Sequence, residues 1–276
     1  MYKKFLIVAS KLDKAGINIT TSLSQFRKDA FASIVQKSET GFDFYLIDKE
    51  IVYTENLDLE KINKYDFIIF ASKHSSSAGE KAITVHAVGN WREAKFGGEN
   101  RKISKTSAIF AKQIFEKLKE NMEKHGIKGY DLTMEATHHG PLLEKPCLFV
   151  EIGSTENEYH DRRAGFVIAK SISEAIENFK ENPYNEIAIA IGGPHYCPNF
   201  NRIQESSNVA ISHVIPQHAS PITEDMIKEA VEKTEEEIDF AILDWKGLGK
   251  AEQRDEIVKI LEKNYIIWKK SSDVKR

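Results

Sequence analysis

The chain's 276 residues are 41% hydrophobic and 29% charged, a balance that supports a sizeable core beneath a solvated surface and excludes disorder over most of the length. A formal net charge of −3 excludes a protein that coats nucleic acid with a uniformly basic face, while leaving room for a grip on one end of an RNA through local clusters at residues 92–105 or in the tail Lys269, Lys270, Lys275 and Arg276. Only Cys147 and Cys197 are present and no apolar run approaches the roughly 20 residues of a membrane span, so a soluble, cytoplasmic protein with no disulfide framework and no membrane partner is expected.

In chain order, the apolar run 5–9 is too short for a signal peptide and is followed at once by Lys11, Asp13 and Lys14; it reads as a first buried strand. Further short apolar runs at 42–47, 67–71, 83–88, 132–137, 147–152, 187–191, 209–214 and 240–243 read as strands. Residues 88–105, with Gly89, Gly97 and Gly98 among Arg92, Lys95, Arg101 and Lys102, read as a long exposed loop and a candidate substrate-binding flap, with Asn90 and Trp91 at its base. Helical periodicity over 104–125 places Ala108, Phe115, Leu118 and Met122 on one face ahead of Gly126. It recurs over 162–180 before Pro183, over 223–238 behind a Thr223 cap and two acids, and over 250–263 with Ile257, Ile260 and Leu261 inward. Strands with helices between them predict an α/β fold built on one large sheet with additions. No linker, repeat or low-complexity segment divides the chain, so residues 1–276 are read as one domain.

Nine histidines are present, and His74, His86, His138, His139 and His195 each lie at or just beyond the end of an apolar run. Ligands of open α/β sheets bind outside the carboxyl ends of strands, so these five predict one pocket at that edge. Glu151 joins them, because a carboxylate within Val150-Glu151-Ile152 has to be paired, hydrogen-bonded or metal-bound. For any one histidine a structural hydrogen bond is as good an account; the five together favour a site. Neutral imidazole binds Zn²⁺, and a catalytic zinc takes about three protein ligands plus water. His86, His138, Glu151 and His195 are the candidate ligands.

The catalytic candidates are Lys73, His74, His138, His139 and Glu151. No His-Glu-x-x-His is present, and the adjacent His138 and His139 point to opposite faces of a strand unless the chain turns, so one of them suits acid–base work better than ligation. No Gly-x-Ser-x-Gly elbow accompanies the serines around His74, and Ser75 and Ser76 are assigned to binding phosphate or the substrate amine. Cys197 reads as an inert buried thiol rather than a ligand.

Taken together, Ser72-Lys73-His74-Ser75-Ser76, His86-Ala87-Val88-Gly89-Asn90-Trp91, Thr137-His138-His139-Gly140-Pro141, Glu151-Ile152-Gly153-Ser154-Thr155, Gly192-Gly193-Pro194-His195-Tyr196 and Asp244-Trp245-Lys246-Gly247-Leu248 resemble, in this order, the D-aminoacyl-tRNA deacylases of archaeal and plant type. The blocks run from residue 72 to residue 248. The resemblance implies a three-layer α/β/α fold with a mixed, mostly parallel sheet, phosphorylase/peptidyl-tRNA-hydrolase-like, and dependence on zinc. It also implies hydrolysis of the ester joining a D-amino acid to the tRNA 3′ end, with broad side-chain tolerance that extends to aldehyde-modified D-aminoacyl-tRNA. The partner would be the acceptor end of aminoacylated tRNA, with no obligatory protein partner. Two departures flank His195: Pro194 stands where Gly is usual, and Cys197 where a small residue such as Ala is expected. Such an ester is already activated, so hydrolysis needs an oriented water, supplied on zinc, a general base, and oxyanion donors expected from the N–H groups of Gly140, Gly153, Gly192 and Gly193. The competing readings are another zinc hydrolase, aminopeptidase-like or amidohydrolase, and a non-enzymatic tRNA-binding or metal-storing module.

Overall fold

The structure, a computed structural model, describes residues 2–26, 41–55 and 57–275. In chain order its elements are β1 (Lys4–Ser10), α1 (Lys14–Leu23), β2 (Gly41–Ile47), α2 (Leu59–Ile62), β3 (Phe67–Ser75), β4 (Ala82–His86), α3 (Ala108–Lys124), β5 (Asp131–Met134), β6 (Cys147–Ser154), α4 (Glu156–Tyr159), α5 (Arg162–Glu177), β7 (Glu186–Ile191), α6 (Pro198–Ser206), β8 (Val209–Ile215), α7 (Glu224–Glu232), β9 (Phe240–Leu243), α8 (Ala251–Lys263) and β10 (Trp268–Lys270). Side-chain oxygens cap the helix starts: Asp13 accepts from Ala15 N (2.9 Å) and Gly16 N (3.1 Å), Ser107 from Phe110 N (3.0 Å), and Asp161 from Arg163 N (2.9 Å). The helix expected over 223–238 stops at Glu232, because the Thr234 hydroxyl bonds back to Ala230 O (2.8 Å) and the chain turns there to bridge Thr106.

The α/β class and the mixed, mostly parallel pairing hold, but the strands form two sheets instead of one. The first has the order β2-β1-β3-β6-β4-β5 and the second β10-β9-β7-β8. All neighbours are parallel except β4 and β6, so β4 and β5 run opposite to the other four strands of the first sheet. The chain beyond β5 joins the two sheets. Glu135 N donates to Val85 O (3.1 Å), Ala136 N to His195 O (2.8 Å) and Thr137 N to Val214 O (3.1 Å). β10 was not expected, since three residues carry too little pattern. It draws the basic tail into the fold: Lys269 pairs with Glu186 and Lys270 lies 4.5 Å over the Trp245 ring, while Arg276 lies outside the described residues.

Helices α1, α3 and α5 cover the face of the first sheet that carries Phe5, Ile7, Ile69, Val150 and Ile152. In the second sheet, α3 and α6 pack on the face of Ala188, Ala190 and Ile211, and α7 and α8 cover the other through Ile227, Ile257 and Leu261. What positions the site is the remaining face of the first sheet. It begins apolar, with Ile68, Phe70, Cys147 and Phe149 in contact with Ile51, Leu57 and Leu143. It then turns ionisable, because the register sets Ser72 and Thr84 beside Glu151, His74 beside Gly153, and His86 beside Phe149. Partners across strands share a face, so His74, Glu151 and His86 project together.

Gly153 permits this approach. A Cβ there would lie 2.3 Å from His74 O and 2.7 Å from His74 Cβ. Gly153→Ala is therefore expected to lower stability by about 1–3 kcal/mol, the usual effect of forcing atoms into a packed interior. Thermal denaturation measures this, and an unchanged melting temperature would mean that β3 and β6 separate there without penalty.

Candidate active site

Three imidazoles meet beside this face. His86 is buried and stacks on Phe149, with ring centroids 5.1 Å apart and planes 8° from parallel. His138 and His139 follow β5, and the left-handed backbone of His139 (φ 42°) supplies the turn that brings both rings to one side, 4.2 Å apart. His86 lies 4.2 Å from His138 and 4.9 Å from His139, centroid to centroid. In each, Nδ1 faces a backbone carbonyl: Ala87 O at 3.0 Å for His86, Ala136 O at 2.8 Å for His138, Gly140 O at 2.7 Å for His139. With Nδ1–H donating there, Nε2 carries the lone pair.

Ring nitrogens of the three lie within 4.8 Å of one another, and His86 Nε2 is buried with no hydrogen-bond partner. An orphaned imidazole nitrogen beside two more with the same tautomer fits a zinc ligand set. Burial and the surrounding imidazoles hold His138 well below its ordinary value and His139 at about 4, which keeps both neutral as ligation requires. Burial pulls His86 down as well, but Glu151, 3.7 Å from its Nε2, outweighs that and raises it; a cation there would compete with the proton.

The chemical centre of the cluster is Glu135, which was not among the expected site residues. Its carboxylate is buried with His74 Nδ1 at 2.8 Å and the Nε2 atoms of His138 and His195 each at 3.4 Å, although neither oxygen has an aligned hydrogen-bond donor. The signal was available in Met134-Glu135-Ala136, an acid inside an apolar strand ending, the same pattern that singled out Glu151. Glu151 is also buried, 3.7 Å from His74 Nδ1, and accepts from the Thr84 hydroxyl at 3.4 Å. His74 thus stands between two buried carboxylates, with its Nε2 3.1 Å from the Tyr196 hydroxyl. Burial pulls the His74 ring down, yet Glu135 and Glu151 raise it to about 11. Burial pushes both carboxyls up, yet His195 and His74 hold Glu135, and His74 and His86 hold Glu151, below the ordinary range. His74 is consequently a fixed positive charge and not a group that titrates near neutrality.

The six expected residues gather, but not at one carboxyl edge: His74, Glu151 and His86 project from one sheet face, and His138, His139 and His195 reach them from the segments after β5 and β7. β4 and β5 run opposite to β3 and β6, so their ends reach the others from the opposite direction, and Glu151 lies mid-strand. Donor atoms of Glu135, His138 and His195, and those of His74, Glu135 and Glu151, also lie within 4.8 Å of one another, so the described donor groups overlap at His138 and Glu135.

A cleft of about 820 Å³ opens on His138 and His139, and the 88–105 segment lines it, as expected of a flap. The segment is anchored, however, where a free exposed loop was expected. Trp91 is buried and its Nε1 donates to Val214 O (3.1 Å); Asn90 Nδ2 donates to Gly97 O (2.8 Å). Arg92 Nε and Nη2 donate to Ala219 O (2.9 and 2.8 Å), and Nη2 also reaches Pro221 O. Asn90, Trp91 and Arg92 therefore shape the flap, and Arg92 is engaged with carbonyls instead of being held ready for phosphate. Lys95, Arg101 and Lys102 are exposed, and Lys95 and Arg101 line the cleft.

Other expected roles change with position. Lys73 lies on the opposite face of β3 from His74, exposed, with its N–H bonded to Asp13 (2.8 Å). Ser75 and Ser76 do not line the cleft. The glycine amides are committed: Gly140 N donates to Phe96 O (2.8 Å) and Gly192 N to Ile215 O (2.7 Å). Gly153 sits mid-sheet between β3 and β4, and Gly193 is packed against Asp244; neither lines the cleft. Cys197 is buried, burial raises its thiol far above the usual range, and its Sγ lies 3.3 Å from His195 O, in keeping with an inert role.

With this geometry in place, similarity to known proteins becomes informative. The family model described as D-aminoacyl-tRNA deacylase matches residues 61–269. The D-aminoacyl-tRNA deacylase of Methanocaldococcus jannaschii is 32% identical over 275 residues, covering 97% of this chain and 99% of that protein. That of Pyrococcus abyssi is 34% identical over 259 residues, 90% and 93% of the two chains. The crystal structure of a conserved protein of unknown function, AF0625, superposes with a TM-score of 0.86 at 30% identity, covering 99% of this chain and 96% of that one.

Removing the charge of His74 should expose how the cluster is held. His74→Gln leaves Glu135 and Glu151 buried without their cation and is expected to cost about 3–5 kcal/mol near neutral pH. The sign with pH follows from the raised imidazole: its contribution is complete below about 6.5 and is lost as pH rises toward about 11. Denaturant titrations of both proteins across that window test this, and a pH-independent difference would mean that His74 is not held as an imidazolium.

Proposed function

The chain belongs to the D-aminoacyl-tRNA deacylase family, and from that premise we propose that it hydrolyses the ester of D-aminoacyl-tRNA in the cytoplasm, using zinc held by His86, His138 and His139. The observation that supports the reading is the convergence of His86, His138 and His139, their ring nitrogens within 4.8 Å of one another, with buried Glu135 3.4 Å from His138 and with His138 and His139 lining a cleft that Lys95 and Arg101 also line. Water adds to the ester carbonyl carbon, the bond to the ribose oxygen breaks, and the products are the free amino acid and a tRNA whose ribose hydroxyl has gained a proton. Zinc held by these residues would supply Lewis acidity, which lowers the pKa of water to about 7.

The chain's own side chains divide the remaining work. His195, partly exposed and backed at 3.4 Å by Glu135, would take the proton from water and return it to the departing oxygen, an imidazole oriented by a carboxylate. Glu135 stays ionised and fixes that imidazole, while His74 keeps Glu135 and Glu151 tolerable in the interior. Lys95, Arg101 and Lys102 face the acceptor-end phosphates; a zinc hydrolase of free peptides would have no use for cations on that rim.

Matched D- and L-tyrosyl-tRNA should be cleaved at very different rates, the D form faster. Chelation should abolish turnover and zinc restore it, and His139→Ala should lower bound zinc and cut the rate by about 10²-fold or more. Equal rates for the two enantiomers would overturn the substrate assignment; full activity in metal-free protein would overturn the role of zinc.

The rim makes a separable claim. Neutralising Lys95, Arg101 and Lys102 together, with Arg92 left in place as a structural tie, should raise KM and reduce the salt dependence of binding by a log–log slope of about one per side chain. The D/L ratio should not move, since stereoselection rests on the pocket around the α-carbon. An unchanged salt slope would remove this loop from the tRNA footprint.

A further inference from the structure

Phe96 leaves 62% of its surface in solvent at the wall of the cleft whose floor carries His138 and His139. An apolar ring so exposed gains nothing for the fold, yet the backbone beneath it is held with unusual firmness. Its carbonyl accepts from Gly140 N (2.8 Å), the residue after His139, and Gly98 N donates to the Glu55 carboxylate. Gly97 and Gly98 follow at φ of 68° and 76°, and a Cβ on Gly97 would fall 1.5 Å from Val52 O. The loop therefore presents Phe96 in one place, with Lys95 before it and Arg101 on the same cleft wall.

A rigid exposed ring between cations, one hydrogen bond away from the candidate metal ligands, is the arrangement by which proteins hold an unpaired nucleobase: stacking on the ring, with the backbone phosphate met by Lys or Arg. We propose that Phe96 is the stacking platform for the 3′-terminal base of the tRNA. This rests on the reading of the substrate above and deepens it. The ester is carried by the terminal ribose, so a base stacked on Phe96 would place that ribose over the His138–His139 floor. Phe96 is then a positioning residue, selecting a single-stranded nucleotide without reading its sequence through hydrogen bonds.

The test uses the intact protein and two deacylated tRNAs, one complete and one lacking its 3′-terminal adenosine. Wild-type protein should bind the complete tRNA about tenfold more tightly than the truncated one, and Phe96→Ala should bind both equally, at the weaker value. Phe96→Trp should restore the preference, and Tyr265→Ala, which removes a 95%-exposed ring that does not line the cleft, should leave it untouched. With D-tyrosyl-tRNA, Phe96→Ala should raise KM about tenfold at an unchanged melting temperature. If wild type binds tRNA but Phe96→Ala still distinguishes the two forms as wild type does, the stacking site is overturned while the substrate reading stands. If wild type binds neither tRNA, the substrate reading falls, and the stacking site with it.

Discussion

Two buried carboxylates, Glu151 on a sheet face and Glu135 just beyond the end of β5, are the constraint to which the rest of this structure answers. Glu135 and Glu151 are 1% and 3% exposed, and isolated charges at that depth would neutralise or unfold their surroundings. His74 between them removes the difficulty by staying protonated, and its placement requires Gly153 as register partner, because any side chain there would strike the His74 backbone. Reversal of β4 and β5 follows the same logic. Only strands arriving from the opposite direction bring His86 and the His138–His139 turn against a carboxylate that sits in the middle of β6.

This accounts for what could and could not be read from the chain. Short apolar runs and helical periodicity placed most elements correctly, because burial period and capping are local properties of sequence. Glu151 was legible as an acid in an apolar run. Glu135 carried the same mark but stood in the shadow of the neighbouring histidine pair. Strand direction was not legible: nothing in residues 82–86 encodes whether they lie parallel or antiparallel to residues 147–154, and with direction unknown the six residues were placed at a sheet edge. The commitments of Gly140, Gly192, Asn90 and Arg92 were equally hidden, since each is bonded to a carbonyl distant in sequence or set by a loop's shape.

The flap illustrates how a site gains precision without a lid that closes. Glycines and cations in a long exposed loop suggested a substrate-binding flap, and Trp91 and Arg92 tie it to the carbonyls of Val214 in β8 and of Ala219 and Pro221 after it, while Gly140 ties its tip to the His138–His139 turn. The loop and the His138–His139 turn are thus joined by a direct hydrogen bond. A substrate entering such a cleft meets groups already in place, and the ordering entropy that a flexible flap would lose on binding is spent at folding instead.

The same commitments bear on charge in the reaction. With the Gly140 and Gly192 amides donating elsewhere, neither is free to meet negative charge developing on a substrate carbonyl, which in many acyl-transfer enzymes falls to backbone N–H groups. Among Glu135, Glu151 and His74 one negative charge remains in excess, and His138 and His139 beside them are held neutral. A cluster of that balance would suit a divalent cation, and a bound cation would reverse the local balance to positive. A cation held beside His138 and His139, in place of oriented amides, would then meet negative charge on a substrate oxygen.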